Sequence, residues 1–331
     1  MSASPASSAA PRVSVAIPLY NEEHGLPELL RRLRAVLDAL PGGPHEMVFV
    51  NDGSADRTLE LLEGAAREDE RVVVVSLSRN FGHQAALTAA LDHVSGDVAV
   101  LMDGDLQDPP EAIPAFLERY REGYDVVYAV RAKRTEPWWL RLCYFLFYRA
   151  LARMAHVRLP LDAGDFGLMS RRVVAELRRS PERHRYLRGL RAWAGFRQVG
   201  IPVARSERYQ GTSKYGFPKL VGLALDGLFA FSTVPLRAAA LVGGLAILAS
   251  AAFAAYALYA KLVLHRSPQG FTALILVITF LSGVNLFFLG VIGEYLGRVY
   301  EQVKARPLYV VGRVIRRRPP PPQTPPPSAV A

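Results

Sequence analysis

The sequence predicts an α/β protein: a doubly wound, mostly parallel sheet followed by a two-helix membrane hairpin. Three observations carry this. Residues 12 to about 130 alternate strand and helix signals. The strands are Val-rich on both faces, as when helices cover a sheet on either side. Two uncharged runs, Ala238–Ala260 and Phe271–Gly293, have 23 residues each, and a helix needs about 20 to cross a hydrocarbon core. The alternative for these runs, two helices buried in a large soluble core, suits such lengths poorly.

The elements follow in order. VSVAIPL (13–19) reads as the first strand and Leu26 to Leu40 as a helix by its apolar spacing. EMVFVND (46–52) is the second strand, with a helix over Thr58 to Arg67. RVVVVSLS (71–78) is the third, followed by a helix over Gln84 to His93. DVAVLMDGD (97–105) is the fourth, with a helix over Pro114 to Arg121, and DVVYAVR (125–131) is the fifth. Next, EPWWLRLCYFLFYRALARMAHVRL (136–159) is aromatic and apolar but carries Arg141, Arg149 and Arg153, so it reads as a helix lying in the membrane interface, or else as a core helix. Tyr215 to Ser232 is a similar segment leading into the first span.

MSASPASSAAPR has no apolar stretch of the secretory-signal kind and reads as disordered. Cys143, the single cysteine, has no intrachain partner, which fits a cytoplasmic main domain. Net charge is +10. Arg298, Lys304, Arg306, Arg313, Arg316, Arg317 and Arg318 follow the second span, whereas the link between spans carries only Lys261, His265 and Arg266. Positive charge stays on the cytoplasmic side, which puts both ends inside and a short loop, about Leu264 to Gly270, outside. Anionic lipid accounts for this charge better than nucleic acid does, so no nucleic-acid partner is expected. From Arg316 the chain is basic and Pro-rich, hence extended and disordered.

Three polar clusters follow predicted strands: Tyr20-Asn21-Glu22, Asn51-Asp52-Gly53-Ser54 and Asp103-Gly104-Asp105. Ligands of doubly wound sheets bind beyond the carboxyl ends of the strands, so the clusters should share one crevice. GxGxxG after a strand and GxxxxGK[ST] are both missing, which removes most support for dinucleotide oxidoreduction and P-loop hydrolysis. Neighbouring carboxylates repel and resist burial unless they share a cation. Asp103 and Asp105 could hold Mg²⁺ or Mn²⁺ through oxygen, the remaining positions going to phosphate and water. Such an ion would neutralise a diphosphate leaving group. D-x-D alone is a weak motif and often marks solvated turn acids; its place after an apolar strand beside two similar clusters strengthens it.

AIPLYNEE (16–23), VNDGSADRT (50–58), LSRNFGHQAAL (77–87), LMDGDLQDPPE (101–111), AGDFGLMSRR (163–172) and RYQGTSKYG (208–216) together resemble the family 2 glycosyltransferases of GT-A fold, a Rossmann-like architecture. Within them they resemble the polyprenyl-phosphate sugar transferases. The ending GEYLGRVYEQVKARPLYVV (293–311) resembles the bacterial, bactoprenol glucosyltransferase branch, and the likeness spans about residues 12 to 312. The resemblance implies a disordered segment 1–11 and a GT-A domain at 12–215 with an interfacial helix about 136–157. A juxtamembrane helix at 216–235, spans at 236–264 and 270–297, and a basic cytoplasmic tail at 298–331 follow.

It also implies roles. Pro18, Tyr20 and Glu22 would line the base and ribose pocket, with Val50 and Asp52 beside them; a plain turn after each strand is the alternative, above all for Val50. Asp103 and Asp105, flanking Gly104, would bind diphosphate and metal, and Gln107 would complete the metal shell. Arg131 would meet phosphate, or be a solvated strand end. Arg208 and Lys214 would flank a loop closing over the donor. Asp165 would stand near the sugar or the attacking phosphate; it could instead cap a helix or pair with Arg171 or Arg172. His83 lies where a helix N-terminus could face phosphate, or else is a core or capping histidine.

The implied reaction is inverting transfer of a sugar from a nucleotide sugar, UDP-glucose first and GDP-mannose second, to polyprenyl phosphate at the inner face of the cytoplasmic membrane. The acceptor phosphate is already an anion, so attack needs no strong base but does need cations to hold two anions together. Arg131, then Arg141, Arg149 and Arg153, would hold the lipid phosphate. A homo-oligomer assembled through the spans, a tetramer, is expected from the bacterial relatives. Two other readings compete. Processive polysaccharide synthases carry a Q-x-x-R-W motif, of which only Arg191-Ala192-Trp193 is reminiscent. A membrane-anchored binding protein could keep the fold without activity. Two departures from the family pattern stand out: Gly104 where relatives often have Ala, and Gly167 where many have Arg.

Overall fold

A computed structural model describes residues 10–131, 163–183, 185–204, 234–263 and 270–317. The predicted interfacial helix, most of the juxtamembrane helix, the loop between the spans, Arg208, Lys214 and the end of the tail lie outside these residues. The chain forms two compact units. One comprises residues 1–138, 159–214 and 307–331, and the other 139–158 and 215–306.

The first unit holds the sheet. In chain order it contains β1 (Val13–Leu19), α1 (Leu26–Ala39), β2 (Glu46–Asn51), α2 (Thr58–Glu68), β3 (Val72–Leu77), α3 (His83–His93), β4 (Val98–Leu101), α4 (Ile113–Arg121), β5 (Val126–Arg131), β6 (Ala163–Ser170), α5 (Arg171–Arg179), α6 (Leu187–Trp193), β7 (Gln198–Val203) and β8 (Val311–Ile315). α1 shows why such helices form. Pro27 sits in its first turn, Leu26, Leu29, Leu30, Leu33 and Leu37 recur at helical spacing, and those five leucines are buried. Along β1, Val13, Val15, Ile17 and Leu19 join one core, under α1, α2 and Phe116, while Ala16 joins the other, with α3 and α5. Both faces are covered, which is why the strands read as continuous apolar runs.

The strand order is β7-β5-β6-β4-β1-β2-β3-β8. β1 pairs in parallel with β2 on one side and with β4 on the other, Pro18 opposite Val50 and Val13 opposite Val98. The chain therefore switches direction across the sheet at β1, and a crevice opens beyond the carboxyl ends of β1 and β4.

The sheet is mixed rather than mostly parallel. Four pairings are parallel and three antiparallel: β4 with β6, β5 with β6, and β3 with β8. β6 wedges between β4 and β5, with Gly167 opposite both Leu101 and Tyr128. A Cβ on Gly167 would lie 2.4 Å from the Val127 carbonyl oxygen and 2.9 Å from Tyr128 Cα. Backbone leaves no room for a side chain at this position. β8 lies within the stretch expected to be a basic tail, ahead of Arg316: residues 311–315 return to the sheet and cover the edge of β3. An Arg313–Glu63 ion pair and a 2.6 Å hydrogen bond from Tyr309 Oη to Asp92 tie it down. The fourth strand ends at Leu101, not at residue 105, because the chain turns at the acids; Leu106 takes φ 61°.

The second unit, among the described residues, contains α7 (Val234–Leu262) and α8 (Phe271–Val303), which pack on each other. Both contain stretches long and apolar enough to cross a membrane, Ala239–Ala260 and Phe280–Val303, and neither stretch is buried. α8 extends past the predicted limit at 297. Glu294 and Arg298 pair one turn apart along it.

Candidate active site

The loops after β1 and β2 are stitched together by side chains that answer backbone amides. Asn21, at φ 55°, donates its backbone N–H to Ser54 Oγ at 3.0 Å and accepts the Ala55 N–H at its Oδ1 at 2.8 Å. The Glu22 amide donates to Thr58 Oγ1, the Glu23 amide to Asp56, and the Arg57 amide to Glu23. Tyr20 is left exposed above this platform and Glu22 is half-buried. Pro18 is buried in β1. Val50 is wholly buried in the core beside Ala16 and Val75, so its side chain packs rather than forming an open pocket wall.

Asp52 is 3 % exposed, and both its carboxylate oxygens are engaged: Oδ1 by the Phe81 amide at 2.7 Å and Oδ2 by the Gly82 amide at 3.0 Å. Burial pushes its pKa up and the two amides push it back, leaving a net rise. Asp52 thereby fixes the chain that enters α3 and carries His83.

The acids occupy the turn after β4. A Cβ on Gly104 would meet Leu19 Cδ2 at 2.2 Å and the Pro18 carbonyl at 3.3 Å, so the acid turn lies directly on the end of β1. Asp105 Oδ1 accepts the Gln107 amide at 3.1 Å, which rigidifies the turn. Asp103, Asp105 and Gln107 are half-buried, and Asp108 is buried.

β6 brings Asp165 here because it runs antiparallel to β4. Two residues beyond the Leu101–Gly167 pair lie Asp103, in the turn just after β4, and Asp165, near the start of β6. His83 lies between them, Nε2 at 3.6 Å from Asp103 Oδ1 and 3.9 Å from Asp165 Oδ2. On its other side Asp165 meets Arg188 of α6 in a bidentate pair, Nε and Nη2 each at 2.8 Å. Burial would raise the Asp165 pKa, but His83 and Arg188 together hold its carboxyl below the usual range. Burial would likewise lower His83; the carboxylates of Asp165 and Asp103 outweigh it and raise its pKa. Asp165 thus stands mid-site as an ionised group. It caps no helix and pairs with neither Arg171 nor Arg172; Arg172 grips Asp125 instead.

Two arginines to which the sequence assigns no role in this site join the constellation. Arg188 lines a small cavity together with Asp103, Asp108, Gly164, Asp165 and Phe166. Arg191, one turn on, is 3 % exposed, donates from Nη2 to the Gly164 carbonyl at 3.3 Å and stacks over the Tyr128 ring. Arginines three apart in a short apolar stretch, LRGLRAW, were the available signal. Gln84 links α3 to α6, its Oε1 accepting the Leu187 amide at 3.1 Å. Arg131 ends β5 at the same edge of the sheet.

The donor set suits a hard divalent cation. Asp103, Asp105 and Gln107 offer oxygen atoms only. Among the described residues no three acids or histidines form a ready-made metal cluster. The fit is that of an open site, to be completed by substrate oxygens and water.

A switch-point crevice that gathers carboxylates, a histidine and arginines has the make-up of an enzyme site for a phosphate-bearing substrate. The glycosyl transferase family 2 profile matches residues 14–178. An uncharacterised glycosyltransferase of Synechocystis sp. is 44 % identical over 90 % of this chain and 94 % of its own length. A prophage-derived bactoprenol glucosyl transferase of Shigella flexneri is 38 % identical over 91 % and 97 %. An undecaprenyl-phosphate 4-deoxy-4-formamido-L-arabinose transferase of Edwardsiella ictaluri is 37 % identical over 92 % and 94 %. The chain belongs to glycosyl transferase family 2 and is a glycosyltransferase.

Proposed function

We propose that the protein transfers a sugar, with inversion, from a nucleotide-sugar donor to polyprenyl phosphate at the cytoplasmic face of a membrane that its two apolar helices span, with Mg²⁺ or Mn²⁺ as cofactor. The observation that carries this is the Asp103–Asp105 turn at the switch point, set beside Asp165, His83 and Arg188 in a chain with two exposed apolar helices. Relatives named for transfer to bactoprenol or from undecaprenyl phosphate chemistry support the acceptor class. UDP-glucose is the first donor to test and GDP-mannose the second.

Tyr20 and Glu22, on the platform after β1, would receive the base and ribose. Asp103, Asp105 and Gln107 would hold the cation, which would supply charge neutralisation for the departing diphosphate. The acceptor phosphate needs no proton removed to attack the anomeric carbon. Asp165, already ionised, therefore serves as an electrostatic partner that orients Arg188 and His83 rather than as a proton acceptor. Arg131, Arg208 and Lys214 are proposed phosphate contacts. The basic segment after α8, with Lys304, Arg306, Arg313, Arg316 and Arg317, supports a cytoplasmic location for that end, and assembly through the spans would give a homo-oligomer.

Purified protein is incubated with Mg²⁺ or Mn²⁺, undecaprenyl phosphate and a panel of nucleotide sugars, and glycolipid is sought by mass spectrometry. The expected result is one product from one donor, lost in Asp105→Ala and on chelation, with an anomeric proton inverted relative to the donor by NMR. Folded protein that binds nucleotide but forms no glycolipid from any donor would refute the proposal.

A further inference from the structure

Arg191 is a fully buried cation. Among the described residues its Nε finds no hydrogen-bond partner; its guanidinium donates to the Gly164 carbonyl and lies over the Tyr128 face, and the nearby Asp165 carboxylate favours its charge. Burial pulls its pKa down to about 10, still charged at neutral pH. Beside it, Arg188 is one-third exposed and faces the cavity that Asp103 also lines. Two guanidiniums thus stand beside Asp165, and Asp103 and the buried Asp108 line the same cavity as Arg188. A buried charge that is not fully compensated is costly and persists where it serves a purpose. An arginine fork is matched to the oxygens of phosphate.

Resting on the glycosyl-transfer reading above, we propose that Arg188 is a phosphate-holding residue of the site and that Arg191 is a positioning residue behind it. Asp165 holds the Arg188 fork in place, and the Arg191 charge offsets part of the negative charge that Asp165, Asp103 and Asp108 bring to the cavity. The ligand is a phosphate group in the cavity between Asp103 and Asp165. That chemistry has two sources, the lipid acceptor and the donor diphosphate.

The test uses full-length protein in nanodiscs with Mn²⁺. Affinity for UDP or GDP is measured by calorimetry, and KM for undecaprenyl phosphate and kcat by product formation, in Arg188→Gln, Arg188→Lys, Arg191→Met, Arg191→Lys and Asp165→Asn, with melting temperature as a fold check. The expected result is a loss of roughly tenfold or more in phosphate affinity for Arg188→Gln. Arg188→Lys should recover it only in part, and Arg191→Lys should be better than Arg191→Met. A rise in acceptor KM alone assigns the lipid phosphate; weaker nucleoside diphosphate binding assigns the donor. If Arg188 merely props Asp165, Arg188→Gln will cost nothing further in an Asp165→Asn background, and the proposal falls. It falls equally if both affinities stay within twofold in variants that melt like the parent. A parent protein that makes no glycolipid but loses nucleoside diphosphate affinity on Arg188→Gln overturns the acceptor assignment only and leaves the phosphate site standing.

Discussion

Replacing Asp52 by alanine separates a structural carboxylate from a nucleotide ligand. The two amides that Asp52 receives, from Phe81 and Gly82, lie at 2.7 and 3.0 Å. Hydrogen bonds to a charged group contribute about 1.5–3 kcal/mol each, about 3–6 kcal/mol for the pair. Two features reduce this. The buried carboxylate already bears a desolvation cost, visible as its raised pKa. The Phe81 and Gly82 amides are only partly buried, so water can answer them once the side chain is gone. A net loss of about 2–4 kcal/mol is expected, or roughly 5–15 °C in melting temperature for a unit of this size. Asp52→Asn should fall close to alanine, since its amide nitrogen would face one of the two N–H groups. The assay is tryptophan-fluorescence melting of the full-length protein, with and without nucleoside diphosphate and Mn²⁺. Should Asp52→Ala melt within 2 °C of the parent when unliganded yet lose the nucleotide-induced shift, the structural assignment is refuted and the residue is a ligand.

Three further outcomes follow from the same geometry. Gly167→Ala drives a Cβ into the backbone of β5 and should cost about 3 kcal/mol or more, whereas Gly104→Ala meets chiefly the Leu19 side chain, which can turn aside, with the Pro18 carbonyl at 3.3 Å, and should stay folded and active; yield of monodisperse protein tells them apart. Asp165 has a depressed folded-state pKa, so its contribution to stability is complete above the unfolded value near 3.9 and is lost as pH falls through the lower folded value. The melting temperature of the parent should therefore drop more steeply below about pH 4 than that of Asp165→Asn, and equal slopes would show the pair contributes nothing. Tyr309→Phe removes the bond to Asp92 and should weaken the docking of β8 by about 1 kcal/mol, read as faster protease cleavage between residues 304 and 317.

The sequence alone was enough for β1 to β5, the helices between them, the apolar helices, and the place of the acid turn. Apolar period, Val runs and uncharged length are properties of contiguous residues, and each of these elements satisfies its own local pattern. Tertiary structure decided the rest. β6 and β8 carry glycine or arginine within them and pair with distant strands that offer them edges: β4 and β5 for one, β3 for the other. Asp165 was visible as an acid in AGDFGLMSRR, but its partner is Arg188, 23 residues on and in another element, rather than the neighbouring Arg171 or Arg172. Likewise Asp52 sat in a recognisable motif, yet its carboxylate is claimed by amides 29 and 30 residues away. Residue type and spacing announce which groups can bear charge; which charge each one faces is set by the antiparallel return of β6 and the packing of α6, and pairings of that range leave no periodic trace in the chain.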